Sequence, residues 1–167
     1  MEDICWIPEL ILYEDYKNDW KSYEAMLYGV FEEDFIKSKP RFEGKQVNIR
    51  KHPMAFDKEE AFHHITCKDY KKDSNRVPDF RRCERIRWVR SFIENYNCDP
   101  TNCSDCDGIK LWEEVEGTKK RVHMLLEEER FVVVLERRDT YCLLVTAYYI
   151  EYENNLKKIL RRYNDHK

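Results

Sequence analysis

The chain has 167 residues, of which 42% are hydrophobic, 14% aromatic and 38% charged, and its formal net charge is −3. That length suits one domain whose core buries well over half of the unfolded surface, and the aromatic content is too high for a disordered chain. The slight negative charge argues against strong nonspecific nucleic-acid binding by the whole surface.

Residues 1–6 are acidic and lack the basic flank of a signal peptide. No apolar run approaches the roughly 20 residues that span a bilayer; the longest, residues 141–150, is strand length. The expectation is a soluble, cytoplasmic protein without a membrane partner. Seven cysteines in such a chain favour free thiols or a metal site over structural disulfides. Charge is uneven. Residues 1–39 hold ten acidic and four basic side chains, and residues 71–90 hold eight basic and three acidic. Either the basic stretch is an anion-binding face or the two segments pair with each other.

In chain order, Tyr16, Trp20, Tyr23, Leu27, Val30 and Phe31 recur at spacings of three and four, which predicts a helix over residues 14–37, ended before Pro40. Val47 and Ile49 alternate with polar neighbours in a predicted strand, 45–50. Asp57, with Glu60 three residues on, reads as the N-cap of a helix carrying His63 and His64. Residues 69–77 read as a polar loop. Pro78 suits the first position of the next helix, whose buried stripe is Phe80, Cys83, Ile86, Val89, Ile93 and Tyr96. Residues 97–108 read as a loop with Asp-Pro and Asp-Gly turn signals. Four strands follow, 109–115, 121–127, 131–137 and 141–150, with connections so short that neighbours must be antiparallel. The strand at 131–137 is apolar on both faces and should be central. An amphipathic helix over residues 152–163 closes the chain. The predicted fold is α+β: N-terminal helices, a four-stranded antiparallel β-meander and a C-terminal helix. It divides into an acidic helical segment, 1–40, and an α+β domain, 41–167, with the cysteine-containing loop at 97–108.

Four groupings are candidates for chemistry. His63, His64, Thr66 and Lys68 fall within one short stretch; a histidine passes protons near neutral pH and a lysine stabilises developing anionic charge. The plain alternative is one histidine in the core and one in solvent. On the arginine helix, Arg81 and Arg85 are four apart and Arg82 and Arg85 three apart, spacings that share a face and suit bidentate anion binding, unless these arginines only pair with the acidic segment. Thr146 and Tyr148 share one face of the last strand. Cys98, Cys103 and Cys106 lie close together, Cys103-x2-Cys106 resembles half of a zinc knuckle, and Cys83 or a histidine is the candidate fourth ligand. With four glycines and no Gly-rich phosphate loop, His-Glu-x-x-His or Gly-x-Ser-x-Gly, nucleotide-fuelled chemistry and serine hydrolysis are poor candidates.

The segments Val47-Asn48-Ile49-Arg50, Phe62-His63-His64-Ile65-Thr66-x-Lys68, Pro78-Asp79-Phe80-Arg81-Arg82-Cys83-Glu84-Arg85-Ile86-x-Trp88 and Leu143-Leu144-Val145-Thr146-Ala147-Tyr148 share an order with a known group. Together they span about two thirds of the chain. The stretch resembles the phage-linked nuclease-like domains grouped with barnase, EndoU, colicin and RelE type RNases (the BECR fold). The resemblance implies RNA cleavage by 2′-OH transesterification without a metal cofactor. It implies His64 as acid/base, Lys68 as electrostatic stabiliser, Arg81 and Arg85 as phosphate ligands, and Thr146 and Tyr148 as orienting groups. It also implies a toxin or phage-conflict effector, with RNA as substrate and a neutralising protein as partner. The alternative is a noncatalytic protein- or nucleic-acid-binding module, stabilised by a structural zinc.

Overall fold

The computed structural model describes residues 6–68, 77–99, 101 and 107–167. Helix α1 spans Trp20–Phe31 and continues as a π-helical segment, Glu32–Lys37. The expected start at residue 14 is corrected. Tyr13–Tyr16 form a separate 3-10 turn, and Lys17 and Asn18 have φ of 56° and 54°, a left-handed break that an α-helix does not pass through. Strands β1 (Arg41–Phe42) and β2 (Lys45–Ile49) follow. Helix α2 is Glu60–Thr66 with Glu59, not Asp57, at its N-cap; Asp57 is instead in a tight turn at φ 62°.

Strands β3 (Cys67–Lys68) and β4 (Val77–Pro78) pair briefly, so Pro78 lies in a strand and not in a helix. Asp79 caps the next helix, its Oδ1 accepting from the backbone N–H groups of Arg81 (3.0 Å) and Arg82 (3.3 Å). The single arginine helix expected from sequence is two helices, α3 (Phe80–Glu84) and α4 (Ile86–Glu94), broken at Arg85 with φ −105° and ψ 19°.

Strands β5 (Lys110–Glu116), β6 (Lys119–Leu126), β7 (Phe131–Arg137) and β8 (Tyr141–Tyr149) form an antiparallel run, and α5 (Glu153–His166) closes the chain. The α+β class holds, but the sheet is not a four-stranded meander. Strand β2 adds parallel to β8, with Ile49 opposite Leu144, and β1 adds to β2. The result is a six-stranded mixed sheet in the order β1-β2-β8-β7-β6-β5. Strand β7 is interior, and Phe131 through Glu136 are all buried.

One face of the sheet, including Val47, Met124, Val133, Leu135 and Ala147, packs against Leu27, Phe31, Phe62, Ile65, Val89 and Phe92 of the helices. On the other face Trp112, Leu125, Val132, Val134 and Ile150 meet Leu156 and Ile159 of α5. Each such side chain contributes about 1.5–3 kcal/mol by leaving water. Two irregularities open the sheet in the middle of β8. Strand β2 ends opposite Leu144 while β8 runs on, and the register of β7 with β8 slips between Val134 and Leu135, leaving Val145 as an extra residue in a bulge. Helix α2 lies against this part of β8. Among the described residues, no helix is long and apolar enough to cross a membrane.

Candidate functional site

Where β2 leaves β8, a cleft of about 400 Å³ opens, lined by Arg50, His64, Arg82, Arg121, Glu136 and Thr146 beside Ala61, Leu143, Leu144 and Val145. Five chain segments supply its polar groups: the exit of β2, helix α2, helix α3, the β6–β7 pair, and the β8 bulge. Arg121 and Glu136 are register partners across that pair, so they enter the cleft side by side.

The His64 ring sits 3.1 Å from Glu60 Oε1, one helical turn earlier, and its side chain is 30% exposed. Its backbone carbonyl, at the C-terminal end of α2, has no helical N–H ahead of it to accept from. Two side chains satisfy it: Thr146 Oγ1 donates at 3.1 Å and Arg82 Nη1 at 3.0 Å. The same Arg82 nitrogen donates to Cys67 O at 2.7 Å. Arg82 Nε lies 3.4 Å from Asp79 Oδ2, close enough for an ion pair but without a hydrogen bond. Arg121 Nε is also buried without a hydrogen-bond acceptor, 3.9 Å from Glu136 Oε1. Glu136 is 2% exposed and reaches Arg138 at 2.5 Å. Buried guanidinium N–H groups lacking acceptors are costly as they stand, and an anion in the cleft would satisfy them with charge-assisted bonds.

A second hollow adjoins the first, and Arg82 lines both. Its polar lining includes Lys68, Asp79, Tyr148 and Arg162. Burial pushes the Tyr148 hydroxyl above its ordinary pKa, against the pull of the Arg162 and Arg82 charges.

Of the residues picked from the sequence, His64 and Thr146 therefore meet in one cleft, and Lys68 and Tyr148 occupy the hollow beside it. Arg81 and Arg85 are not brought to either. The Arg81 guanidinium lies 5.3 Å over the Tyr149 ring, and Arg85, 7% exposed, is stacked between Trp88 (5.0 Å) and Tyr149 (4.6 Å). His63 is the core histidine of the pair, 4% exposed, with Nε2 2.9 Å from Ala55 O. Cys98 is buried, and Cys103 and Cys106 lie outside the described residues. Among the described residues no three histidine, cysteine or acidic side chains are grouped to hold a metal ion.

No protein-family model matches the chain, and no curated protein or solved structure does so either. The functional reading rests on the cleft's own chemistry.

Three lining residues were given no role from sequence, Arg50, Arg121 and Glu136, and of the arginine-helix candidates Arg82 is the one that reaches the cleft. One signal was available for Glu136. It continues the Val132 and Val134 face of an otherwise apolar strand, where a carboxylate needs a reason. Arg121 had no such signal until the strand register put it opposite Glu136.

Proposed function

We propose that the cleft binds a phosphodiester of RNA and that the protein is an RNase-like enzyme acting by 2′-OH transesterification. The observation that carries this reading is the convergence of an imidazole, a carboxylate and three arginines in one cleft. Glu136 takes the proton from the ribose 2′-OH, and the 2′ oxygen attacks the adjacent phosphorus. His64 gives a proton to the departing 5′ oxygen, leaving a 2′,3′-cyclic phosphate and a free 5′-OH. Glu60 orients the His64 ring. Arg50, Arg82 and Arg121 offset the charge that builds on the phosphorane. Lys68 and Tyr148, in the adjoining hollow, contact the next phosphate or sugar along the strand. The sequence resemblance, not the geometry, supports the further reading of a cytoplasmic toxin or phage-conflict effector held in check by a protein partner.

The alternative, a noncatalytic nucleic-acid-binding module, draws on one specific observation: Thr146 and one Arg82 nitrogen are committed to backbone carbonyls of α2 and the start of β3. Purified wild type, His64→Ala and Glu136→Gln are incubated with mixed-sequence RNA in excess EDTA, and the fragment ends are analysed. Cyclic phosphate ends from wild type, reduced at least a hundredfold in both variants, are expected, since acid–base groups contribute about 10²–10⁴-fold. RNA bound but left intact by all three proteins leaves the binding module in its place.

A further inference from the structure

Next to the cleft, and sharing Cys67 with it, lies a hollow of about 340 Å³ whose lining includes Trp20, Phe56, His63 and Thr66. Phe56 is unusual twice over. The residue is 80% exposed, and its backbone φ is 53°, a left-handed conformation that glycine and asparagine take far more readily than an aromatic residue. Phe56 and Asp57, φ 62°, are the central pair of a two-residue turn closed by Ala55 N to Lys58 O and Lys58 N to Ala55 O, each 3.0 Å. Turns of this shape favour Asn-Gly and Asp-Gly. Local backbone preference does not account for phenylalanine there, and at 80% exposure the residue buries little apolar surface.

The turn is held in place. The buried His63 ring reaches Ala55 O at 2.9 Å and meets the Phe56 ring edge-on, centroids 6.3 Å apart. The segment leading to the turn starts at the cleft residue Arg50 and carries Lys51 and His52, all three exposed. Backbone bonds from Glu60 N to Lys51 O (3.1 Å) and Ala61 N to Arg50 O (3.0 Å) pin it to the start of α2. Two exposed cations, Arg50 and Lys51, thus lie on the segment that joins the arginine cleft to an exposed aromatic tip.

We propose that Phe56 is a stacking platform for a nucleobase flanking the phosphodiester held in the cleft, which makes single-stranded RNA the ligand. This rests on the phosphodiester reading of the cleft. Bases in a duplex keep their faces against each other, whereas an unpaired base offers a face to an aromatic ring. Stacking of this kind tolerates any base, so the preference is for strandedness over sequence. A backbone strained to present an exposed ring is the arrangement expected where a binding contact outweighs local stability.

The test is equilibrium binding of a 2′-O-methyl RNA oligomer of mixed sequence, which cannot undergo transesterification, and of the same backbone without bases. Phe56→Asn should weaken binding of the base-bearing oligomer about tenfold, as loss of one base–aromatic stack does. It should leave the abasic oligomer unaffected and raise Tm, because asparagine accepts the left-handed turn. Phe56→Trp should bind as wild type does. If Phe56→Asn binds the base-bearing oligomer as tightly as wild type while Arg121→Ala binds both oligomers more weakly, the platform is overturned and the cleft reading stands. If wild type binds neither oligomer, the cleft reading falls and the platform with it. Equal losses for both oligomers would mean that the turn only shapes the cleft. Self-association of wild type that Phe56→Asn abolishes, with oligomer binding unchanged, would assign the tip to a second copy of the chain.

Discussion

The Thr146 hydroxyl donates to the His64 backbone carbonyl across 3.1 Å, joining the β8 bulge to the end of α2. It does so because β2 has ended two residues earlier, opposite Leu144, and left the next stretch of β8 open to a helix. Thr146→Val keeps the shape and removes the donor. Arg82 still serves that carbonyl, so the expected cost is about 1 kcal/mol, a Tm lower by about 2–4 °C. If His64 is the acid proposed above, cleavage of RNA should fall about tenfold or more, because the group that moves is the proton donor, while Thr146→Ser stays near wild type. Thermal melts and kcat on one oligonucleotide check both. A normal rate in Thr146→Val would release this bond from any part in positioning His64.

Arg82 and Arg85, three residues apart, should separate cleanly. Arg82 uses the fork of its guanidinium to bridge toward two carbonyls and a carboxylate, which the point charge of a lysine does not reproduce. Arg82→Lys is expected to cost about 1.5–3 kcal/mol and to lower RNA affinity as well. Arg85 is buried between two aromatic rings away from the cleft, and burial holds its pKa below the usual arginine range. Arg85→Lys should cost about 1–2 kcal/mol of stability through the lost stacking with the cleavage rate unchanged. Urea unfolding paired with initial rates distinguishes them, and a large rate loss in Arg85→Lys would restore it to the site.

The contrast marks where sequence reasoning reaches and where it stops. The strands of the last third were legible to within two residues at every end because short turn-forming connections bound each run of strand-forming residues. The partner of β2 was not, since it lies in the last strand, and no local pattern encodes so distant a parallel pairing. Within the arginine-rich segment, spacing pointed to Arg81 and Arg85 as neighbours on one face. Which face meets the cleft depends on how Asp79 starts the helix and on the break at Arg85, and both are settled by tertiary packing. His64 was legible only with the help of resemblance; next to it, His63 has the same local chemistry and a different fate. Glu136 was hidden by its own strand, read as core on both faces.

Asp34 should make the protein more stable in mild acid. Burial pushes its carboxyl up to about 6, against the opposing Arg90 and Arg87 charges. The folded state therefore holds a proton that the unfolded state releases between the ordinary 3.8 and about 6. Stability from this group falls as pH rises through that window. Asp34→Asn should gain about 1–3 kcal/mol at pH 8 and nothing near pH 4, measured as urea midpoints at the two pH values. Equal effects at both would mean that the carboxyl is not desolvated.

The docking of α5 should respond to acid in the opposite direction. Glu114 on β5 accepts both Nε and Nη2 of Arg162, on α5, the first at 2.8 Å, and lies 2.9 Å from His123 Nε2 on β6. The bond to Arg162 is the main reason the Glu114 carboxyl sits at about 2. His123 is 6% exposed and stacked on Trp112, centroids 5.0 Å apart. Burial lowers its pKa to about 4; the nearby Glu114 opposes this, and Arg162 and Arg121 add to it. Burial prevails because the Glu114 charge is already paired with Arg162. Below the ordinary value of 6.5 the unfolded chain takes up a proton at His123 and the folded chain does not, so stability is lost from about pH 6.5 to about 4. Glu114 adds a further loss below the ordinary 4.5. Because Asp34 titrates in the same window with the opposite sign, the comparison is made in the Asp34→Asn background. There, unfolding free energy should drop about 2–3 kcal/mol between pH 7 and 4. Adding His123→Gln, which keeps an uncharged donor near Glu114, should flatten most of that slope above pH 4.5. An unchanged slope would mean that another group senses the acid and that α5 is docked independently of the histidine.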